Sequence, residues 1–273
     1  ISAKRLKIPI FHMEAGNRCW DWNVSEMINR KIVDHISDIN LPYTEHSRRY
    51  LLSEGIDGKT IFVTGSPMRE VLRDGMQKIE ESDILKRLEL ESGKYILVSA
   101  HREENIDLED NFLSLMTALN TIAETYQLPV IYSTHPRSMK FIQSRHFKFH
   151  PLVKNIKPLG FFDYNHLQTH SLVVLSDSGT LSEESAMLGF CGVLIRTSTE
   201  RPEVLDKGTV VIGGITSQSI AQATELAIAM HHANEPAAMP ADYLDDNVSA
   251  KVIKIIQSYT PIVNQTVWLK SPR

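Results

Sequence analysis

The 273-residue sequence predicts an α/β fold in which helices cover both faces of parallel sheets. Three observations indicate this fold class. Candidate strands and helices alternate along almost the whole chain. Candidate strands such as Tyr95–Ala100 are short, continuous apolar runs, which is typical of strands buried on both faces. Polar residues suited to catalysis come directly after the strands, where open α/β sheets bind their ligands.

The first quarter of the chain predicts three short strands and two helices. The strands are Ile8–His12, Ile39–Tyr43 and Thr60–Thr64. The first helix, Val24–His35, is predicted by apolar residues that recur at helical spacing. Thr44 can cap the second helix, which is expected to run to about Leu52 and to stop at Gly55.

The rest of the chain continues the alternation. A charged, mostly helical stretch from Met68 to Leu90 is interpreted as the link between two domains. The strongest strand signal, Tyr95–Ala100, and a strong helix signal, Phe112–Tyr126, follow it. Further strands are predicted at Pro129–Thr134, Leu172–Ser176, Gly192–Arg196 and Thr209–Ile212. Helices are predicted near 180–189 and 216–231, and a last helix near 241–258.

Composition and charge exclude several classes of protein. Apolar residues make up 42% of the chain, which excludes a disordered protein. Lys and Arg number 29 against 33 Asp and Glu, without a basic run, so we expect no nucleic-acid partner. Cys19 and Cys191 stand outside any Cys-x-x-Cys pair and no metal-binding His spacing occurs, so we expect a reducing cytosol and no metal. No apolar run approaches the ~20 residues that span a bilayer, so we expect no membrane segment.

The start of the sequence is unusual. Ile1–Arg5 contains neither an initiating Met nor the apolar segment of a signal peptide. A buried-looking strand follows within a few residues. We therefore expect the sequence to be a fragment of a longer protein.

The first group of candidate catalytic residues is His12–Arg18, which follows the first strand. Glu14 stands at the strand end beside a flexible Gly16, where a carboxylate can face a cleft. Glu26, at the start of the next helix, completes a pair of carboxylates suited to acid–base catalysis. The alternatives are a solvated loop carboxylate for Glu14, and for Glu26 a salt bridge to Arg30 or a favourable charge at the helix N-terminus.

The second group, Ser99–Asn105, follows the strongest strand. His101 and Arg102 at a strand end suit an anionic ligand such as a phosphate. A surface ion-pair network between Arg102 and the following glutamates is the alternative. His135 ends another strand and fits a packed, hydrogen-bonded side chain as well as a ligand contact.

The third group, Ser176–Glu184, passes from a strand through small residues into a helix. Free backbone N–H groups and the helix dipole make such a segment an anion site, and Gly179 permits close approach. Simple capping by Ser178 or Thr180 is the alternative, and it is compatible with phosphate binding. Glu184 lies about one helical turn further on, where a carboxylate can accept hydrogen bonds from both hydroxyls of a ribose. The segment lacks the P-loop ending, and the chain contains no Gly-x-Gly-x-x-Gly fingerprint.

Taken together, these motifs resemble the non-hydrolysing UDP-N-acetylglucosamine 2-epimerases. The resemblance covers essentially the whole chain, in the family's order. It rests on His12–Arg18, Glu26 with Asn29-Arg30, Thr64–Pro67, His101–Asn105, Asp177–Gly179 with Glu183-Glu184, and Thr199–Glu203.

The resemblance implies a GT-B-like fold, in which two Rossmann-like domains hold a nucleotide sugar. Residues 1–66 then form the later part of the first domain, 67–240 the UDP-binding domain, and 241–273 a helix that crosses back. The family begins with a Gly-Thr-Arg-Pro-Glu phosphate loop and later carries a Gly-Asp segment with a catalytic Asp. Neither is in this sequence, in keeping with the expected fragment.

The resemblance also implies the site residues. Glu14 and Glu26 match the acid–base carboxylates, and His101 matches a residue beside the leaving diphosphate. Glu184 matches the ribose-binding carboxylate, and Tyr164 the aromatic residue against the uracil. The residues implied in UDP-sugar binding are Arg30, Arg102, His135, Tyr164, Ser178, Gly179, Thr180, Glu184 and Arg201.

The implied reaction is C2 epimerisation by elimination and re-addition of UDP. No cofactor is implied, because the C2 hydrogen exchanges with solvent. The amino-acid sequences of Phe11–Cys19 and Ser99–Ile106 resemble those of the family branch that makes UDP-N-acetyl-L-fucosamine for surface polysaccharides. A UDP-GlcNAc/UDP-ManNAc 2-epimerase is the alternative within the family. A GT-B glycosyltransferase and a UDP-binding module without turnover are alternatives of other classes.

The family further implies a homodimer, and the two lone cysteines predict a cytoplasmic location. Two departures from the family's pattern concern regulation and the sugar pocket. Glu103 stands where the hexosamine epimerases have a second Arg, which puts their regulatory UDP-GlcNAc site in doubt here. Residues 19–24 are shorter and differently composed, which is expected to reshape the sugar pocket.

Overall fold

A computed structural model of the protein describes residues 1–234 and 237–270. The helices in these ranges are α1 Ser2–Arg5, α2 Ser25–Ile36, α3 Glu45–Ser53, α4 Met68–Glu80, α5 Ile84–Arg87, α6 Glu103–Ile106, α7 Glu109–Tyr126, α8 Pro136–Ser144, α9 Phe161–His170, α10 Leu181–Leu188, α11 Pro202–Asp206, α12 Ser217–His232 and α13 Val248–Thr266. The strands are β1 Phe11–Met13, β2 Ile39–Leu41, β3 Ile96–Ser99, β4 Val130–Ser133, β5 Val153–Ile156, β6 Val173–Ser176, β7 Gly192–Leu194 and β8 Val210–Ile212. Within the described ranges, no helix is both long and apolar enough to cross a membrane.

The chain divides into two compact units. The first unit consists of Ile1–Arg73, Thr199–Glu203 and Pro240–Arg273. The second unit consists of Asp74–Ser198 and Val204–Met239. The domain boundaries after residues 66 and 240 stay predictions from the sequence.

The second unit is built on a parallel sheet of six strands in the order β5-β4-β3-β6-β7-β8. This is the doubly wound order, in which the chain proceeds from β3 to one edge and then from β6 to the other. The two directions meet between β3 and β6, where Ser99 lies opposite Ser176 at the strand ends. The predicted α/β fold with parallel strands is confirmed.

An extensive apolar core surrounds this sheet. Strands β4 and β6 are buried along their whole length, and Ile96, Val130 and Val173 expose no surface. Helix α7 contributes Phe112 and Leu119 to the same core, which α12 also joins. Each fully buried side chain of this kind contributes roughly 1.5–3 kcal/mol. Apolar burial therefore fixes the strand ends that precede the second and third groups of candidate residues.

The first unit has a smaller sheet and smaller apolar clusters. Strands β1 and β2 pair in parallel, with Phe11 opposite Ile39. Helix α13 packs against β2. This cluster consists of Ile39, Leu41, Val248, Val252 and Val263, and a second one of Ala15, Leu51 and Ile61.

The first predicted strand, Ile8–His12, is displaced in the structure. The observed strand is β1, Phe11–Met13. Pro9 has no N–H to donate to a neighbouring strand. The N–H of Ile10 donates to the Asp38 side chain at 2.9 Å instead of joining a strand ladder.

Other predicted elements also change. The predicted strand Thr60–Thr64 is irregular, because its first residue ends a 3₁₀ turn and its one recorded bridge joins Ile61 to Asn40. The predicted last helix, 241–258, begins later as α13, after a second 3₁₀ turn. The cap on α3 is confirmed, since Thr44 Oγ1 accepts from the N–H of Ser47 at 3.3 Å.

Candidate active site

Glu14 lies in the loop that follows β1, in the first unit. Its φ of 60° is in the left-handed region, which is uncommon for a residue other than Gly and is found preferentially at functional sites. Three donors converge on its Oε1: Asn17 Nδ2 at 3.0 Å, Arg30 Nη2 at 3.3 Å and Arg201 Nη2 at 3.3 Å. Amide and guanidinium donors together stabilise an ionised carboxylate. The structure thus brings three predicted site residues together: Glu14, Arg30 and Arg201.

The same loop depends on Gly16. A Cβ on this residue would lie 2.4 Å from the backbone oxygen of Ser47, and its φ is +78°. Only Gly combines this backbone conformation with so close an approach to α3. The flexible Gly of the predicted motif therefore has a specific packing role beside Glu14.

A network of buried charged side chains packs against the loop that carries Glu14. Asp34, which exposes 1% of its surface, accepts from His12 Nδ1 at 2.7 Å and from the N–H of Gly16 at 3.2 Å. Arg18 Nη2 lies 2.7 Å from Asp34 Oδ2, and the same guanidinium donates to both oxygens of Glu54 at 2.9 and 2.7 Å. The hydrogen bond from Arg18 is the main cause that lowers the pKa of Glu54 to about 2.

Glu26 lies exposed in the first turn of α2. Arg30, four residues further along α2, pairs with two other glutamates: its Nη2 lies 3.3 Å from Glu14 Oε1 and its Nη1 lies 3.5 Å from Glu200 Oε1. A carboxylate in a first helical turn interacts favourably with the helix dipole whatever else it does. The catalytic role of Glu26 stays a prediction, as does its alternative as a structural charge.

In the second unit, Asp177 organises the loop after β3. This fully buried carboxylate accepts through Oδ2 from the N–H groups of His101 and Arg102, both at 2.8 Å, and from Asn105 Nδ2 at 3.0 Å. Its Oδ1 lies 3.5 Å from His101 Nδ1. Because β3 and β6 are neighbours, Asp177 ties the loop after one strand to the end of the other, at the point where the strand order reverses.

His101 and His135 lie close together at this edge of the sheet. Their ring centroids are 5.8 Å apart, and His101 exposes 46% of its side chain. His135 caps α8 by accepting from the N–H of Arg137 at 3.3 Å. Glu103 accepts from Arg137 Nη1 at 2.7 Å, an ion pair with a residue that the sequence-based alternative did not include.

The Ser178–Thr180 segment connects β6 to α10. Ser178 Oγ accepts from the N–H of Thr180 at 3.3 Å and lies 3.0 Å from its Oγ1. Thr180 is the N-cap residue of α10, and its own side chain makes no capping hydrogen bond to the described residues of the first turn. The start of a helix carries N–H donors and the positive end of its dipole, which suits the anion-site interpretation of this segment.

Glu184 is almost buried, with 7% exposure, and its Oε2 accepts from Gln168 Nε2 at 2.8 Å. Tyr164, near the start of α9, lies in the same neighbourhood. Burial, followed by the charge of Glu184, raises the pKa of its phenol above the usual range. Ser99 and Ser176, at the ends of β3 and β6, are near enough to the hydroxyl to offset part of this rise in pKa. The structure thus brings the two predicted site residues Tyr164 and Glu184 close to one another.

Four polar residues that the sequence did not single out as site residues complete these arrangements. They are Asn17, Asp34, Gln168 and Asp177. Asp177 could have been identified from the sequence, since it follows strand β6 directly and precedes Ser178 and Gly179. The others act through contacts between residues 3 to 30 positions apart, which the fold reveals.

A family model described as UDP-N-acetylglucosamine 2-epimerase matches residues 1–257 of the chain. A UDP-N-acetylglucosamine 2-epimerase of Methanocaldococcus jannaschii is 30% identical over 233 residues, which are 83% of this chain and 64% of that protein. The chain therefore spans just under two thirds of the length of this relative.

Solved structures are also similar. The structure of UDP-N-acetylglucosamine 2-epimerase from Rickettsia bellii is 40% identical with a TM-score of 0.88, over 98% of this chain and 72% of that one. The crystal structure of the Methanocaldococcus jannaschii UDP-GlcNAc 2-epimerase, in complex with UDP-GlcNAc and UDP, is 28% identical with a TM-score of 0.85, over 94% of this chain and 71% of that one. The α/β fold with parallel sheets is of the GT-B-like class that these structures represent.

Proposed function

The chain belongs to the UDP-N-acetylglucosamine 2-epimerase family, and on this premise we propose that the protein carrying it inverts C2 of a UDP-N-acetylhexosamine. The observation that carries the proposal is the convergence of Asn17, Arg30 and Arg201 on one oxygen of Glu14. A carboxylate held in this way is oriented by its donors, as a general base must be. Related structures described with bound UDP-GlcNAc support the same substrate class.

The reaction we propose is an elimination followed by a re-addition. A base takes the C2 proton while the C1–O bond breaks and UDP leaves with the electron pair, which gives a 2-acetamidoglucal intermediate. UDP then adds back to C1 and a proton is delivered to the opposite face of C2. The sugar is neither oxidised nor reduced, because hydrogen leaves and returns as a proton. Glu14 and Glu26 are the proposed acid–base carboxylates.

The second unit supplies the proposed UDP site. Stabilising the departing diphosphate requires cations and N–H donors aimed at the developing charge. His101 is the proposed catalytic contact to this diphosphate, and Glu184 and Tyr164 contact the ribose and uracil. The other proposed ligands of the nucleotide are Arg102, His135, Ser178, Gly179 and Thr180. The switch-point position of these loops supports the proposal, since doubly wound sheets bind nucleotides there.

Within this reaction class we propose UDP-N-acetyl-L-fucosamine as the product, for surface polysaccharides such as capsule or O-antigen. The amino-acid sequences of the motifs around Glu14 and His101 support this product over UDP-ManNAc. We further propose a homodimer, which rests on the family alone. A cytoplasmic location is supported by two buried cysteines that are both free thiols, as expected in a reducing compartment.

Deuterium exchange tests the proposal. The protein is incubated in D₂O with UDP-GlcNAc and, separately, with UDP-2-acetamido-2,6-dideoxy-L-talose, and the C2 proton is followed by NMR. We expect loss of the C2 proton signal and appearance of the C2 epimer, faster with the 6-deoxy sugar. A GT-B glycosyltransferase would transfer the sugar without C2 deuteration, and a UDP-binding module would bind UDP without exchange. Either result would contradict the proposal.

A further inference from the structure

Asn17 occupies a buried position between Glu14 and helix α3. Its side-chain Nδ2 donates to Glu14 Oε1 at 3.0 Å, and its Oδ1 accepts from the hydroxyl of Ser47 at 2.9 Å. Asn17 and Ser47 each expose 3% of their surface. Both ends of the amide therefore have partners inside the first unit, as a buried amide requires.

The chemistry of the partners fixes which way the amide points. An ionised Glu14 can only accept, so the NH₂ end of Asn17 must face it. The oxygen end is left for the Ser47 hydroxyl. Ser47 is itself tied to Thr44, because its N–H donates to Thr44 Oγ1 at 3.3 Å as part of the α3 cap. A continuous chain of hydrogen bonds thus joins the start of α3 to Glu14.

Asn17 differs from the other two donors on Glu14. Its contact is the shortest of the three, at 3.0 Å against 3.3 Å for both Arg30 and Arg201. It is also the neutral one, so it directs the carboxylate while adding less charge stabilisation than a guanidinium. The backbone of Glu14 is also constrained, since its φ of 60° lies in the left-handed region.

We infer that Asn17 is a positioning residue: its amide fixes the carboxylate of Glu14 in the orientation for proton transfer, and Ser47 fixes the amide. The inference rests on the proposed function, in which Glu14 exchanges the C2 proton. Misplacing a reacting group by about 1 Å costs on the order of 100-fold in rate. Loss of the Asn17 amide should therefore lower kcat and leave substrate binding almost unchanged.

Asn17→Asp is the principal test. Aspartate keeps the size of the side chain and the acceptor for Ser47, but it replaces the amide donor by a second carboxyl group facing Glu14. Asn17→Ala removes the donor without adding a charge. We expect kcat for C2 exchange to fall roughly 10- to 100-fold. KM should stay within about threefold, because no binding contact is removed. Asn17→Ala should show the same division between kcat and KM, and Ser47→Ala a smaller loss in the same direction.

A double-mutant cycle with Glu14→Gln separates positioning from general damage. If Asn17 acts through Glu14, Asn17→Asp should cause no further loss of rate in the Glu14→Gln background. Asn264→Asp is the matched control, since Asn264 lies on α13 in the same unit and accepts from Lys270 Nζ. It should leave kcat unchanged, and melting curves should show every variant folded.

The outcomes distinguish this inference from the proposed function. A normal kcat in Asn17→Asp, or an equal loss of rate in both backgrounds, overturns the positioning role. If Glu14→Gln is defective in either of these cases, the proposed function stands. If Glu14→Gln itself keeps normal turnover, both the role of Glu14 and the inference built on it are wrong.

Discussion

The two units hold their candidate site loops by different physical means. In the first unit the loop of Glu14 rests on charges, because the side chains of Arg18 and Asp34 are wholly buried and pair with one another. In the second unit the loops of His101 and Ser178 leave the ends of β3 and β6, whose residues lie in the apolar core of a six-stranded sheet.

This difference predicts how sensitive each loop conformation is to substitution and to pH. A buried charge is tolerated only with its partner, so removing one member of a pair leaves the other uncompensated. Apolar burial is non-directional and spread over many side chains. The loop of Glu14 should therefore respond sharply to single charge substitutions and to pH. The nucleotide loops should keep their shape when one polar side chain is changed.

The largest effect on stability is expected from Asp34→Asn. The substitution keeps the ion pair of Arg18 with Glu54 but replaces the other buried carboxylate by a neutral amide. Breaking a buried pair costs at most about 3–5 kcal/mol. Denaturant unfolding followed by tryptophan fluorescence measures it selectively. All three tryptophans of the sequence, Trp20, Trp22 and Trp268, belong to the first unit.

Asp57→Asn provides the matched control for Asp34. Asp57 is an exposed residue of the same unit and pairs with Lys59 at 2.8 Å. Its substitution should leave the fluorescence transition nearly unchanged. If Asp34→Asn behaves like Asp57→Asn, the charged network does not support the loop of Glu14.

The next effect concerns pH. The pKa of Glu54 is about 2 in the folded protein against an ordinary 4.5, so the folded state binds this proton less tightly than the unfolded state. The stabilisation is complete above pH 4.5 and is lost as pH falls towards 2; it amounts to about 2–3 kcal/mol. Glu54→Gln should remove this part of the acid dependence. Equal acid slopes for the variant and the parent protein would show that Glu54 does not contribute.

A smaller effect is expected from Glu184→Gln in the second unit. The amide keeps the size of the side chain but loses the charge offered to the ribose hydroxyls. Hydrogen bonds to a charged group are worth about 1.5–3 kcal/mol, so UDP affinity measured by calorimetry should fall at least tenfold. The melting temperature should change little, because Gln168 can still donate to the amide oxygen. Unchanged affinity would remove Glu184 from the proposed nucleotide site.

The smallest effect on stability is expected from Glu26→Gln. Glu26 is exposed at the start of α2, where a single charge contributes little. Its effect on rate decides between its two interpretations. A catalytic Glu26 predicts a loss of roughly 10²–10⁴-fold in turnover. A normal rate with a slightly lowered melting temperature would assign Glu26 to the scaffold.

The sequence predicted the second unit better than the first, for a physical reason. Strands β3 and β6 are continuous apolar runs, so local pattern and burial agree. Strand β5 was not predicted, because its sequence Val-Lys-Asn-Ile at the sheet edge carries little apolar signal. In the first unit Pro9 displaces the first predicted strand, and a 3₁₀ turn interrupts the third.

For the candidate site, too, local sequence patterns predicted only part of the arrangement. The position of Glu14 could be predicted, because a strand end and a following Gly are local features. Its partners could not be predicted by spacing, since Arg201 is 187 positions away along the chain. The amide of Asn17 is only three positions away, yet its role depends on Ser47 in another helix. Contacts of this kind follow from the fold and not from a local pattern.

Turnover and UDP affinity of Glu14→Gln test the central claim most directly. The substitution keeps the shape of the side chain and removes its charge. We expect C2 deuterium exchange to slow by roughly 10²–10⁴-fold, because the ionised base is lost. UDP affinity should stay almost unchanged, because the proposed nucleotide ligands lie in the second unit. A normal exchange rate in Glu14→Gln would contradict the claim that Glu14 moves the C2 proton.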